Sequence, residues 1–253
     1  MMKKIIVAMH KPCPLPKDPV YLPVQVGRAL HQPLGEIQGD HTGKNISVKN
    51  PNYCELTALY WAWKNLDCDW LGLVHYRRYF VTGQGGDKWN RIVSGKQWDE
   101  ILSRWDVIVP KKRHYWIETN YSQYAHAHHA QDLDITREIL AEQYKEYLPA
   151  FDRVMKRTSG HRFNMFVMKR QLLNDYCSWV FAVLEQLELR LDIRNYSAND
   201  ARVFGFVSER LLDVWLETNN ISYKELPVAF MEKQNWLKKG GAFLKRKVLP
   251  AKK

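Results

Sequence analysis

The chain has 253 residues, 45% of them apolar and 26% charged, enough to close one large α/β domain around its own core. Its net charge is +11, yet residues 233–253 carry eight Lys or Arg and no acid, so most of the excess is a tail rather than a nucleic-acid-binding face. No apolar run approaches the ~18 residues of a spanning helix, and Cys13, Cys54, Cys68 and Cys177 are too scattered for a zinc site or a disulfide framework.

The apolar run over residues 4–9 predicts a buried first strand, which Pro12, Pro14 and Pro16 then break. The opening Met1-Met-Lys-Lys segment lacks the length and cleavage site of a signal peptide, so a cytoplasmic protein is expected. Residues 12–50 are rich in Pro, Gly, Asp and His with little periodicity. They read as a long ordered loop, with His10, Lys11 and Asp40 on its functional face. Asn50 is a good N-cap and Pro51 suits a first helical position, while Leu56, Leu59, Tyr60 and Trp63 recur at helical spacing.

Residues 71–74 read as a short apolar strand, delivering His75, Tyr76, Arg77 and Arg78 to its carboxyl end, where open α/β sheets hold ligands. The planar guanidinium matches phosphate oxygens bidentately, so the Arg pair points to a pyrophosphate; a solvated or ion-paired turn is the alternative. Asp67-Cys-Asp69 has the Asp-x-Asp form that holds a divalent metal in many nucleotide-sugar transferases. It precedes its strand, however, at the end away from the crevice. No metal or other cofactor is therefore expected, and the cationic side chains take over neutralisation of a leaving diphosphate.

Further along, helices are expected over residues 98–104, 171–189 and 201–217, and strands over 105–110, 163–169 and 222–226. This alternation favours a mostly parallel sheet flanked on both faces by helices. Tyr124-Ala-His-Ala-His-His129 with Asp132 and Asp134 matches no metal-ligand spacing. His126, His128, His129 and Asp132 read either as a polar loop orienting an acceptor or as ordinary surface. In the segment from Asn199 to Arg210, Glu209 and then Asp200 are the candidates for a general base, with a solvated Glu209–Arg210 pair as the alternative.

The motifs Asn45-Ile-Ser-Val-Lys-Asn-Pro51, Glu55-Leu-Thr-Ala-Leu-Tyr-Trp-Ala-Trp-Lys-Asn65, Gly72-Leu-Val-His-Tyr-Arg-Arg-Tyr-Phe80, Asn164-Met-Phe-Val-Met168 and Gly205-Phe-Val-Ser-Glu-Arg-Leu211 resemble, in order, a bacterial capsular and exopolysaccharide glycosyltransferase family. That family was long a domain of unknown function and includes galactofuranosyltransferases. The resemblance spans about residues 5–227. It implies a GT-A-like fold, UDP-galactofuranose as donor and a β-linked product formed with inversion. Its motif positions are Asn45, Lys49, Asn50, Glu55, His75, Arg77, Arg78, Asn164, Glu209 and Arg210. Of these, Asn45, Lys49 and Asn164 join the donor-facing set, with Arg202 beside them. Asp200 matches no motif.

A catalytic domain over residues 1–230 and a basic amphipathic tail over 231–253 are thus expected. The tail interleaves Trp236, Phe243 and Leu244 with cations, the composition of a segment lying on an anionic membrane. It would hold the enzyme peripherally on the inner face of the membrane, at a lipid-linked glycan acceptor. A transferase for another nucleotide sugar and a non-catalytic scaffold of a polysaccharide assembly complex are the competing readings; nucleic acid is not an expected partner.

Overall fold

The computed structural model describes residues 2–232; the basic tail expected beyond them lies outside the described residues. The first apolar run becomes β1 (Lys3–Met9), whose alternate side chains feed two cores. Ile6 and Ala8 enter one, and Ile5, Val7 and Met9 enter the other. A strand buried on both faces requires layers on both sides, and the rest of the chain supplies them.

The expected loop over residues 12–50 instead contains two strands, β2 (Tyr21–Gln25) and β3 (Gln38–Gly39). β2 runs parallel to β1 from Ile5↔Tyr21 to Met9↔Gln25. Pro23 hides this strand in the sequence. It is tolerated because β3 pairs only with Val24 and Gln25, so Pro23 meets no partner on that side.

The single helix expected from Asn50 is two, α1 (Asn50–Tyr53) and α2 (Leu56–Asn65), separated where Cys54 adopts a φ of 54°. Asn50 is not the cap. It is helical, and its amide donates to the Cys54 carbonyl (2.7 Å) and to Thr57 Oγ1 (3.2 Å), which holds the break. There follow β4 (Trp70–His75), β5 (Arg78–Phe80), α3 (Gly95–Leu102), β6 (Val107–Pro110) and β7 (Arg113–His114).

The histidine-rich stretch expected as a loop folds as the helices α4 (Asn120–Ala127) and α5 (Ala130–Gln143). Thr119 and Ser122 form a reciprocal capping box on α4, and α5 buries Leu133, Thr136, Ile139 and Leu140 on one side. The chain closes with α6 (Leu148–Lys156), β8 (Ser159–Gly160), β9 (Phe166–Lys169), α7 (Arg170–Arg190), α8 (Val203–Thr218), β10 (Lys224–Leu226) and β11 (Val228–Phe230).

The main sheet has the order β10-β6-β9-β4-β1-β2-β3, with β5 continuing from β4 and pairing β11. All strands of the main row point the same way except β9, which is antiparallel to both β4 and β6. One face packs against α1, α2 and the bundle α5–α8; the other is covered by α3 and the β5–β11 pair. No helix among the described residues is long and apolar enough to cross a membrane.

Candidate functional site

β1 connects through β2 to β3 on one side, while β4 lies on its other side, so the order of strands reverses between β1 and β4. A crevice opens at the carboxyl ends of strands flanking such a reversal. Here it is a cavity of about 930 Å³. Ala8 and His10 leave β1 into it, and His75, Tyr76, Arg77 and Arg78 enter from the β4–β5 turn. Because β9 is antiparallel to β4, the residues before it, Arg162 and Phe163, reach the same end. Gly205 and Phe206 of α8 close the floor. A Cβ on Gly205 would come within 3.1 Å of Cys54 Sγ, a tight contact that glycine avoids where α8 meets the Cys54 break.

His75 is mostly buried and donates from Nε2 to the Phe163 carbonyl, which leaves its Nδ1 as the unprotonated nitrogen of a neutral ring. Burial, reinforced by Arg78, lowers its pKa to about 3. Its Nε2 lies 4.0 Å from Oε1 of Glu55, the residue after the Cys54 break. Glu55 is mostly buried, and the loss of solvation pushes its carboxyl above the usual range. Its oxygen accepts from Asn164 Nδ2 (2.7 Å), an amide that also donates to the Gly205 carbonyl (3.0 Å) and accepts from Ser208 Oγ (2.9 Å). Phe163 and Asn164 both adopt positive φ, 78° and 51°. Two left-handed segments thus converge on one carboxylate, the kind of over-determined backbone found where a side chain must be held.

Six arginines and three glutamates line the cavity, so its charge favours an anion. Arg78 carries the clearest signal. Mostly buried, its guanidinium stacks on Phe163 (4.4 Å) and Phe230 (5.6 Å), yet makes no ion pair or side-chain hydrogen bond among the described residues, and its Nε is unsatisfied. Arg77 is 3.7 Å from Glu232 at the rim, and Arg202 donates to Cys54 Sγ (3.2 Å). Partial desolvation, then the cations Arg77, Lys11 and Arg202, lower the pKa of His10. Glu209 projects into the same cavity, its nearest partner being Arg210 Nη1 at 3.4 Å.

The cavity therefore brings together His10, His75, Tyr76, Arg77, Arg78, Arg202, Glu209, His126 and His128 of the expected set. The remaining members do not line it. Lys11 pairs with Glu232 (2.8 Å) beside the Tyr76 ring. Asp40 is fully buried and accepts from the backbone N–H groups of Gly27 (2.8 Å) and Arg28 (3.0 Å) and from Ser47 Oγ, so it organises the loop between β2 and α1. Asn45 bonds the His41 and Gly43 carbonyls, and Lys49 pairs with Glu188 (2.6 Å). Asn164 acts on the cavity through Glu55. Asp132 accepts from Tyr124 and Tyr196 hydroxyls (2.6 Å each) inside the helical layer, and Asp134 accepts from Tyr121 (2.8 Å). His129 stacks on Tyr196 (4.1 Å). Asp200, buried, accepts from Ser197 Oγ (2.8 Å) and lies 3.2 Å from His128 Nδ1. Asp69, ahead of β4, accepts the Met2 N–H (2.7 Å) at the far end of the strand.

Sequence reading missed Arg113, Tyr115, Trp116, Glu118, Gln123 and Arg162 at the cavity. Arg162 stood immediately before an expected strand, but only the antiparallel direction of β9 carries it to this end. For the loop after β6, the signal was the general one that strand ends of this polarity face the ligand.

Comparison with known proteins places this geometry. The chain is similar to the apo structure of the WbbM bifunctional glycosyltransferase, at 30% identity and a TM-score of 0.84, over 92% of this chain and 46% of that one. It thus spans about half the length of that protein, and the shared architecture is GT-A-like, as the resemblance implied. A comparison with curated proteins gives no match. Residues 4–220, which include both strands of the crevice, α1, Glu55, Asn164 and Glu209, match the family described as DUF4422, a domain of unknown function, and the chain belongs to that family.

Proposed function

We propose that the protein is a glycosyltransferase that takes a sugar from a nucleoside diphosphate donor, and the observation that carries this reading is Arg78. A largely buried guanidinium with no acidic partner is costly, and the cost is recovered when an anion occupies the crevice at the reversal between β1 and β4. A diphosphate suits it, since Arg77 and Arg202 flank the same space and could share the charge.

In this reading the acceptor hydroxyl gives its proton to Glu209 while its oxygen attacks the anomeric carbon. The bond from that carbon to the diphosphate breaks, and the arginines neutralise the negative charge on the departing nucleotide. Attack opposite the leaving group inverts the anomeric configuration. His75, neutral at every physiological pH, adds no competing positive charge next to Glu55. Asp200 bonds Ser197 and His128 inside the protein, whereas Glu55 lines the crevice and is the second carboxylate available as base. Catalysis proceeds without a divalent metal, the arginines doing the work of the cation.

The family resemblance supports UDP-galactofuranose as the donor, and the neighbour's being a glycosyltransferase supports sugar transfer in general. A lipid-linked glycan as acceptor, presented at the membrane face where the basic tail would dock, completes the proposal. The test is calorimetric titration of the full chain with UDP, followed by assay of a panel of UDP-sugars. Binding of UDP that fails in Arg78→Ala supports the reading; a protein that binds no nucleotide diphosphate is a scaffold instead.

A further inference from the structure

Trp116 is the most exposed large apolar side chain of the described residues, at 84%, and it stands on the mouth of the cavity. Its backbone has a φ of 61°, and the Ile117 N–H donates back to the Tyr115 carbonyl at 2.7 Å. This closes a three-residue turn of the rarer, strained hand. The turn is mounted rigidly. Tyr115 N–H bonds the Thr158 carbonyl (2.8 Å), Asn120 N–H bonds that of Arg157 (2.7 Å), and the Tyr115 hydroxyl accepts from Arg162 (2.9 Å). An indole ring is thus presented to solvent at a fixed place, at the expense of both backbone strain and apolar exposure.

We propose that Trp116 is the stacking platform for the acceptor sugar, its ring covering the apolar face of a hexopyranose whose hydroxyls are read by Glu118, Gln123 and His126. The inference rests on the glycosyltransferase reading. Position separates it from the donor subsite: Trp116 follows β7 in the segment that leaves β6, and β9 stands between β6 and β4 in the sheet, whereas the arginine pair sits on the β4–β5 turn. The neighbouring groups are directional hydrogen bonders. Glu118 Oε1 holds His126 Nδ1 at 2.6 Å, which leaves Oε2 and Nε2 for hydroxyls. Gln123 accepts from Arg210 (2.9 Å), which leaves its NH₂ as a donor. An aromatic face ringed by such groups fits a carbohydrate, apolar on one side and hydroxylated at its edge. A lipid surface would ask for a broader apolar patch than Trp116 and Ile117.

The experiment is saturation-transfer NMR on the full chain with saturating UDP and a panel of methyl pyranosides of galactose, glucose and mannose, repeated on Trp116→Ala and Trp116→Phe. Transfer to the ring C–H protons of at least one glycoside is expected, with affinity reduced about tenfold in the alanine variant and largely retained in phenylalanine. UDP titration of the same variants should be unchanged. No transfer from any glycoside, or equal transfer in Trp116→Ala, overturns the proposal. Weakened UDP binding in that variant would place the ring on the donor base, and weakened sedimentation with phosphatidylglycerol vesicles without a change in glycoside transfer would place it on lipid; both also overturn it. Wild-type protein that binds a glycoside but not UDP would sink the donor reading and leave the platform standing.

Discussion

The two ends of the cavity use the same side chain in opposite ways. At the β4–β5 turn, Arg78 lies mostly buried against aromatic rings, with Glu55 and Glu209 in the same cavity but neither within ion-pair distance. At the other end, Arg162 is 3% exposed and spends its donors on Asn120, Tyr115 and the His161 carbonyl, with Asp213 at 3.6 Å. Asp213 is in turn held by His161, which also meets Glu225 at 3.0 Å. Arg210 bonds the Phe206 carbonyl, Gln123 and Glu209 through its terminal nitrogens, although its Nε, like that of Arg78, has no partner among the described residues. A guanidinium satisfied from within is part of the fold, whereas one left unsatisfied at a crevice is kept for a ligand. Removing the first should therefore lower stability and removing the second should lower binding.

The largest effect is expected between these two ends, at Glu209. Glu209→Gln keeps the shape and removes the proton acceptor, so turnover should fall about 10²- to 10⁴-fold while UDP affinity holds. Near-normal turnover with strong loss in Glu55→Gln would transfer the role to the carboxylate cradled by Asn164, and would join the base to the Arg78 end.

Next in size is the structural arginine. Arg162→Ala strips partners from Asn120, Tyr115 and Asp213 in the interior and should cost roughly 3 kcal/mol in denaturant unfolding. If the variant is as stable as the parent, the contrast between the two ends fails.

Arg78→Ala should show the mirror image: UDP binding weaker by about 1.5 to 3 kcal/mol, with stability unchanged or raised because an unpaired buried charge is gone. A variant that unfolds more easily yet binds UDP normally would make Arg78 another structural arginine.

Smaller still is a pH effect at the same end. The folded pKa of His75, about 3, lies below its ordinary 6.5, so between these values the unfolded chain binds the extra proton. Stability from this group is present above pH 6.5 and is lost as pH falls toward 3, with a slope approaching 1.4 kcal/mol per pH unit at ~25 °C. Glu55 works in the opposite sense. Its raised pKa makes the folded state hold its proton longer, stabilising toward acid and losing that stabilisation as pH rises above 4.5. Urea unfolding from pH 7 to 5 should therefore weaken less with acid in a folded His75→Gln variant than in the parent; parallel curves would contradict the neutral, buried ring.

The smallest effect expected is none: if the arginines neutralise the diphosphate as proposed, transfer should survive excess EDTA. Loss on chelation with recovery on manganese would mean that Arg78 acts beside a metal rather than in place of one.

Much of this site was legible because its pieces are contiguous. A strand at residues 71–74 followed directly by His75, Tyr76, Arg77 and Arg78 needs only a short apolar run and the rule that ligands gather at strand ends. β2 was hidden by Pro23, and α4 and α5 by a run of histidines with little apolar periodicity, whose helical state rests on the Thr119 cap and on four α5 side chains reaching the core. Asp40 and Asp132 looked like site residues because their type is chemical; burial and their partners made them structural.

What the sequence by itself determined is the alternation of elements, the doubly buried β1 and β4 and the delivery of an arginine pair to a strand end, since each depends on neighbours a few residues apart. Tertiary structure alone decided that Arg78 has no acid at ion-pair distance among the described residues while Arg162 has one, that β9 runs backwards and brings Phe163 and Asn164 to the crevice, and that Glu55 is held by an amide 109 residues away. Charge and hydrogen bonding act through space, and the chain order of a sequence does not record which distant groups share it.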